Sequence, residues 1–246
     1  MRSRLSRIKG FLLMISFFTR IPFGKWVEYR EDHYQKGLVL FPLVGAVIGA
    51  VLALISLWSW PSIYLKGLIL VLSYVMITGG IHLDGLADAC DGLFSNRDRE
   101  RVLSIMKDSH IGAFGVMALI LYFMSLFVGM MLLPPAWIFI MPIVGRTMAY
   151  FSAGHSDYAR PDQGMGKVFI ESIKPWPSGL LMLILSVIAF LYLSFGGLIA
   201  TFVALVITYL VLLKSKHVIG GMTGDTIGMV IEVSQIGFML MGAMLL

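Results

Sequence analysis

Apolar residues run along this chain in blocks long enough to cross a bilayer, broken by short polar interludes. The blocks fall at 37–58, 67–83, 111–133, 136–153, 179–195, 198–213 and 227–246. A helix needs roughly 20 apolar residues to span about 30 Å of hydrocarbon. The pattern therefore predicts an all-α, polytopic membrane bundle of about seven transmembrane helices, within a range of six to eight. The fifth and sixth blocks are short and are joined only by Gly196-Gly197, a tight-turn signal. Ahead of the first block, Arg2, Arg4, Arg7 and Lys9 precede the apolar run 11–18. That run is too short to span, and no small-residue cleavage site follows it. It is expected to form an interfacial or re-entrant helix. No repeat or low-complexity linker divides the chain, so residues 1–246 read as one membrane domain.

Composition agrees with this reading. Of the 246 residues, 58% are hydrophobic and 13% charged, with a mean hydropathy of +0.88, where soluble domains carry about 25% charged residues. The single cysteine, Cys90, excludes an intrachain disulfide. The net charge of +5 suits anionic lipid or an anionic substrate. No basic stripe is interleaved with aromatics, which argues against nucleic acid.

The charges also orient the chain. With the N-terminus in the cytoplasm, the cations of segments 2–9, 25–36, 97–107 and 160–174, with Lys214 and Lys216, all fall inside. Of the 19 basic residues only Lys66 falls outside, and Arg146 lies within a span. This is a strong positive-inside pattern. It places the working face, with the longer connections, on the cytoplasmic side and the C-terminus outside.

Within this frame the acidic residues stand out. Asp84, Asp88 and Asp91 recur at spacings of four and three, on one face of a helix. Crowded carboxylates repel unless a cation lies between them. Oxygen-only ligands point to Mg²⁺ or Mn²⁺. His82, on a different face, is a ligand or base candidate or, equally, a hydrogen-bonded helix histidine. In the string 220–232, Asp225 and Glu232 share a face seven residues apart, with Glu232 about 10 Å into the last span. They are expected to complete the metal site from a second helix. Candidate phosphate contacts are Lys107, Arg97 and the intramembrane Arg146, which needs a partner or a polar cavity. Asp108 or Ser109 suits a helix cap. Arg160-Pro-Asp-Gln-Gly-Met-Gly-Lys167 sets two glycines among cations, a composition that suits an anion loop. Carboxylates from two helices beside basic residues fit metal-dependent phosphoryl or nucleotidyl transfer. No Walker A motif, nucleophile elbow or His/Cys zinc pattern is present. A transporter would spread ionisable residues toward both faces; here they cluster on one.

Several strings together resemble the cobalamin synthase family of adenosylcobinamide-GDP ribazoletransferases, over nearly the whole chain. They are Phe18-Thr-Arg-Ile-Pro22, Phe41-Pro-Leu-Val-Gly45, Gly80-Ile-His-Leu-Asp-Gly-Leu-Ala-Asp-Ala-Cys-Asp-Gly92, Ile105-Met-Lys-Asp-Ser-His-Ile-Gly-Ala-Phe-Gly115, Arg146 and Gly221-Met-Thr-Gly-Asp225. The resemblance implies Mg²⁺-dependent joining of α-ribazole, or its 5′-phosphate, to adenosylcobinamide-GDP, with Asp84, Asp88 or Asp91 as the base for the ribazole hydroxyl. The products would be adenosylcobalamin, or its phosphate, and GMP, made at the bacterial inner membrane. It carries Arg20, Arg97, Lys107, Asp108, Arg146 and Arg160 as expected substrate contacts. It leaves room for a homo-oligomer and for association with other enzymes of the pathway. The chemistry is also similar to that of the CDP-alcohol phosphotransferases, whose opening pattern Asp88-Ala-Cys-Asp91-Gly92 matches. The Ala-Arg of that pattern is absent and its second half is missing, which turns the expectation away from a lipid substrate.

Overall fold

Helix starts in this chain are set by prolines and small polar residues. Pro42, Pro135 and Pro175 sit in the first turns of their helices, where the missing N–H has no helical partner to lose. Ser62 accepts a hydrogen bond from the Tyr64 N–H, and Thr223 and Thr226 close a reciprocal capping box. The computed structural model describes residues 2–246 and, for residues 2–5, the backbone alone. Eleven α-helices follow in order: α1 Arg2–Phe18, α2 Glu31–Gly37, α3 Phe41–Ser56, α4 Ile63–Thr78, α5 Ile81–Leu93, α6 Arg99–Ile105, α7 Ala113–Leu132, α8 Pro135–Gly154, α9 Met165–Ser172, α10 Pro175–Ile219 and α11 Gly224–Leu245. Among the described residues there is no strand, only an isolated bridge between Tyr158 and Met222.

The chain is a multi-pass membrane protein. Among the described residues five helices are long and apolar enough to cross a bilayer: the run Glu31–Ser56, α7, α8, α10 and α11. Counting the bent pair α4–α5 as one span gives six. The sequence pattern counts seven, and the difference lies in α10. Its 45 residues would reach about 67 Å if straight, more than twice the hydrocarbon thickness. Ser194 breaks it with φ 56° and ψ −149°. Beyond the break, Gly197 lies against the carbonyl of Ala189. Residues eight apart in a straight helix are about 12 Å apart, so the chain reverses here. The two limbs of α10 hold the fifth and sixth apolar blocks. α1 is not among the helices able to cross.

α8 and α11 form the centre. Helices in lipid gain no hydrophobic free energy by meeting each other, so close backbone contact has to supply the attraction. Gly45 and Gly49 let α3 approach the Pro142 and Phe139 carbonyls of α8, and Gly145 seats α8 against Gln235 and Ile231 of α11. Gly242 fits beneath the Trp137 ring, and Gly237 receives Ile207 of α10. The outer surface carries Leu54, Met76, Leu121, Leu183, Leu191 and Phe202, all exposed, as a lipid-facing wall requires.

One corner shapes everything below. α4 ends at Gly79 and α5 begins after Gly80, with φ of 67° and 68°. Two left-handed residues in succession turn the chain by 91°, so α5 lies across the end of α4. The Arg20 guanidinium packs on Gly79 where a Cβ would stand. The Arg20 N–H donates to the Ile77 carbonyl at 2.7 Å.

Candidate active site

α5 meets the start of α11 at two glycines. A Cβ on Gly85 would lie 3.0 Å from the Asp225 Cα, and one on Gly228 would lie 3.2 Å from the His82 carbonyl. This close approach sets Asp225 beside the acidic face of α5. Burial, then the charges of Asp84, Asp225 and Asp91, push the Asp88 carboxyl up to about 7. Asp91 is engaged differently: it is buried, and its carboxylate accepts the Gly112 and Gly115 N–H groups at 2.7 and 2.9 Å. It caps α7 from a neighbouring helix, and Gly112 and Gly115 leave the space it occupies.

Two cavities share Asp84. The first, about 280 Å³, is largely aromatic: Phe17 and Phe18 of α1, Tyr34 of α2 and Phe169 of α9 line it, with Asp84 and Asp225 among its polar groups. The second, about 580 Å³, is polar: Asp84 and Asp88 face Lys107, Asp108 and Ser109 across it. Gly80, at the corner, lines the second.

The cations are arranged around the acids. Arg160 Nη2 donates to Asp225 Oδ2 at 2.6 Å, and the Thr223 hydroxyl donates to the same oxygen at 3.3 Å. Arg160 is held there by backbone pairing: the Ala159 N–H donates to the Met222 carbonyl and the Met222 N–H to Asp157. Arg99 clamps the same junction through the Ile219 and Ala159 carbonyls at 2.8 and 2.7 Å. Lys107 pairs with Asp162 at 2.6 Å, and that hydrogen bond holds the Asp162 carboxyl below the usual carboxylate range. Asp108 receives the His110 N–H at 3.0 Å, so it shapes the turn into α7 while lining the polar cavity. Arg20 sits at the α4–α5 corner; Arg97 is exposed before α6 and lines neither cavity.

Arg146 and Glu232 stand elsewhere. Arg146 is fully buried and donates to Gln235 Oε1 at 2.9 Å, with Nε and Nη2 lacking protein partners. Glu232, also buried, accepts from Tyr74 at 2.9 and 3.0 Å, from Gln235 at 3.0 Å and from Tyr122. Sequence spacing sets Glu232 on the same helix face as Asp225. Two turns of depth nevertheless separate them, and the tyrosines occupy the carboxylate. It is not grouped with the acids of α5, and Arg146 reaches neither cavity. His82 joins the two regions: it lines the aromatic cavity, stacks on Phe18 at 5.7 Å and lies 3.6 Å from Glu232.

Among the described residues no three His, Cys, Asp or Glu side chains already stand in a chelating arrangement. The donor set nevertheless suits a hard cation. Asp84, Asp88 and Asp225 supply oxygen alone, and their crowding resists ionisation of Asp88 unless positive charge is supplied. Mg²⁺ is commonly held by one or two carboxylates with the rest of its shell from water and phosphate, so the residues fit a Mg²⁺ site completed by substrate.

The aromatic wall is absent from the sequence expectations. Its one signal is Phe18, inside the Phe-Thr-Arg-Ile-Pro string; Phe17, Tyr34 and Phe169 belong to ordinary amphipathic patterns. Arg99 and Asp162 read as members of a charged loop, because their partners are distant carbonyls and a lysine fifty-five residues away.

Comparison with known proteins places this architecture. A family model described as cobalamin-5-phosphate synthase matches residues 10–243. A protein of Alkaliphilus oremlandii named adenosylcobinamide-GDP ribazoletransferase is 40% identical over 247 residues, covering 95% of this chain and 96% of the relative. Proteins of the same name from Acetivibrio thermocellus and Klebsiella pneumoniae are 36% and 37% identical, each covering 95% of this chain and 97% and 98% of the relative. No solved structure shows significant similarity to the chain. The chain belongs to the cobalamin-5-phosphate synthase family.

Proposed function

We propose that this chain is an adenosylcobinamide-GDP ribazoletransferase, joining α-ribazole or its 5′-phosphate to adenosylcobinamide-GDP with release of GMP. The observation that carries the reading is Asp84, shared by an aromatic cavity and a polar, lysine-bearing one. A transferase of this kind has to bring a nucleoside hydroxyl to a pyrophosphate, and the two cavities divide those demands.

Catalysis then rests on position and charge. The ribose hydroxyl oxygen attacks the cobinamide-side phosphorus, and the bond from that phosphorus to the bridging oxygen breaks. GMP leaves with the bridging oxygen, and Asp84 takes the hydroxyl proton. Lys107, across the polar cavity, offers a point charge to the pyrophosphate once it turns from the exposed Asp162. Arg160 holds Asp225 in place and is the second cation near the phosphates. Asp88 and Asp225 would hold Mg²⁺, which supplies Lewis-acid neutralisation of pyrophosphate charge.

We place the enzyme in the bacterial inner membrane with both cavities opening to the cytoplasm and with seven crossings, the two limbs of α10 counted separately. The positive-inside distribution and the reversal at Ser194 support this.

The test is direct. Protein reconstituted in lipid should release GMP from adenosylcobinamide-GDP only when α-ribazole is present. EDTA should abolish the release, and Mg²⁺ or Mn²⁺ should restore it. No release by the metal-replete protein overturns the assignment, and undiminished release in EDTA overturns the metal site. Turnover of a CDP-activated lipid instead would show a lipid phosphotransferase.

A further inference from the structure

We propose that the aromatic cavity seats the benzimidazole base of α-ribazole, with His82 as its polar anchor; this rests on the ribazoletransferase reading. The wall residues already interact with one another. Phe18 and Phe169 meet edge-on at 6.4 Å, and Phe41 packs behind both, at 4.6 and 5.2 Å. Ile81, Met165 and Ile227 complete an apolar lining. At about 280 Å³ the space suits a flat two-ring group and is far too small for a corrin macrocycle.

The polar complement of the cavity is sparse and specific. His82 is buried, 6% exposed; its Nδ1 lies 3.6 Å from the Glu232 carboxylate, and its Nε2 has no protein hydrogen bond. Buried polar groups in native proteins are nearly always partnered, so a ligand atom, met by a turn of the ring toward the cavity, is the natural completion for Nε2. Dimethylbenzimidazole has one free ring nitrogen and two methyl groups, which matches one buried imidazole within an apolar wall. Guanine presents a donor edge that a free carboxylate would pair with, and neither carboxylate of the lining is free for it. Asp225 is taken by Arg160, and Asp84 faces the polar cavity as well. With the base seated, the ribose projects toward Asp84 and its hydroxyl meets the base proposed above.

The experiment narrows the cavity from its rim. Ile81 is 40% exposed, so Ile81→Trp adds bulk without opening the core. Steady-state kinetics with both substrates should show KM for α-ribazole raised at least tenfold, with KM for adenosylcobinamide-GDP moved less than twofold. The variant should also shift preference toward a riboside of unsubstituted benzimidazole, which mere loss of folded enzyme would not do. Met165→Phe on α9 serves as the second variant if the first does not fold. A rise in KM for adenosylcobinamide-GDP alone would assign the cavity to guanine, and unchanged constants would remove the proposal. Calorimetric titration of wild-type protein and Ile81→Trp with α-ribazole alone keeps the two readings separable. Weakened binding by the variant supports the seat even if no GMP is ever released. Equal binding overturns it.

Discussion

Asp88 and Asp91 are three residues apart on one helix, yet the structure gives them different work. Asp88 faces the polar cavity among other carboxylates, while Asp91 is spent on two backbone N–H groups. Asp88→Asn should lower GMP release at least a hundredfold without lowering the thermal midpoint, because no packed neighbour loses a partner and the repulsion from Asp84, Asp225 and Asp91 is relieved. Asp91→Ala should instead destabilise the protein by roughly 1–2 kcal/mol, the usual cost of a lost helix cap, and lower activity through misplacement of α7. Thermal unfolding alongside the transfer assay separates the two. Equal loss of stability in both variants would refute the division. The spacing of these aspartates was legible in the sequence, since helical periodicity needs only local information. Their division was not, because Gly112 and Gly115 reach Asp91 from another helix. The same limit applies to Glu232. Its burial was foreseeable from its depth in an apolar run, whereas Tyr74 and Tyr122 as its partners were not.

At the scale of the element, the right-angled corner between α4 and α5 fixes the site. Apolar periodicity carried the second predicted span through to Leu83, since neither Gly79 nor Gly80 interrupts hydrophobicity enough to mark a turn. Only the left-handed backbone of both glycines sends α5 across the bundle, where its acids can meet α11. Gly79→Ala forces a Cβ into a φ of 67° and into the Arg20 guanidinium. The backbone term alone is about 1–2 kcal/mol. We expect a lower denaturation midpoint and loss of transfer beyond that of Arg20→Ala, which vacates the contact without straining the turn. Equal behaviour of Gly79→Ala and Arg20→Ala would show that the contact, and not the backbone, holds the corner. The reversal in α10 was easier to read, because Gly196-Gly197 separates two short apolar blocks and the break falls at neighbouring Ser194.

The distribution of charge acts on the whole molecule. The cations that surround the two cavities belong to connections that the positive-inside bias assigns to one side of the membrane, so the side that holds the cavities also carries the positive potential that attracts anions. The count of crossings decides whether this scheme closes: an odd number sends the C-terminus to the opposite side from the N-terminus, and an even number returns it. Cys90 is the only cysteine and is buried, which makes single-cysteine mapping clean after Cys90→Ser. An impermeant maleimide applied to the outer face of the membrane should label Ser59→Cys and Leu246→Cys. It should reach Gln163→Cys, on the exposed loop before α9, only after permeabilisation. Labelling of Leu246→Cys from the same side as Gln163→Cys would mean six crossings, with α10 failing to traverse twice. Labelling of Gln163→Cys from outside would invert the molecule and place Lys107, Arg160 and the acids away from the cytoplasm.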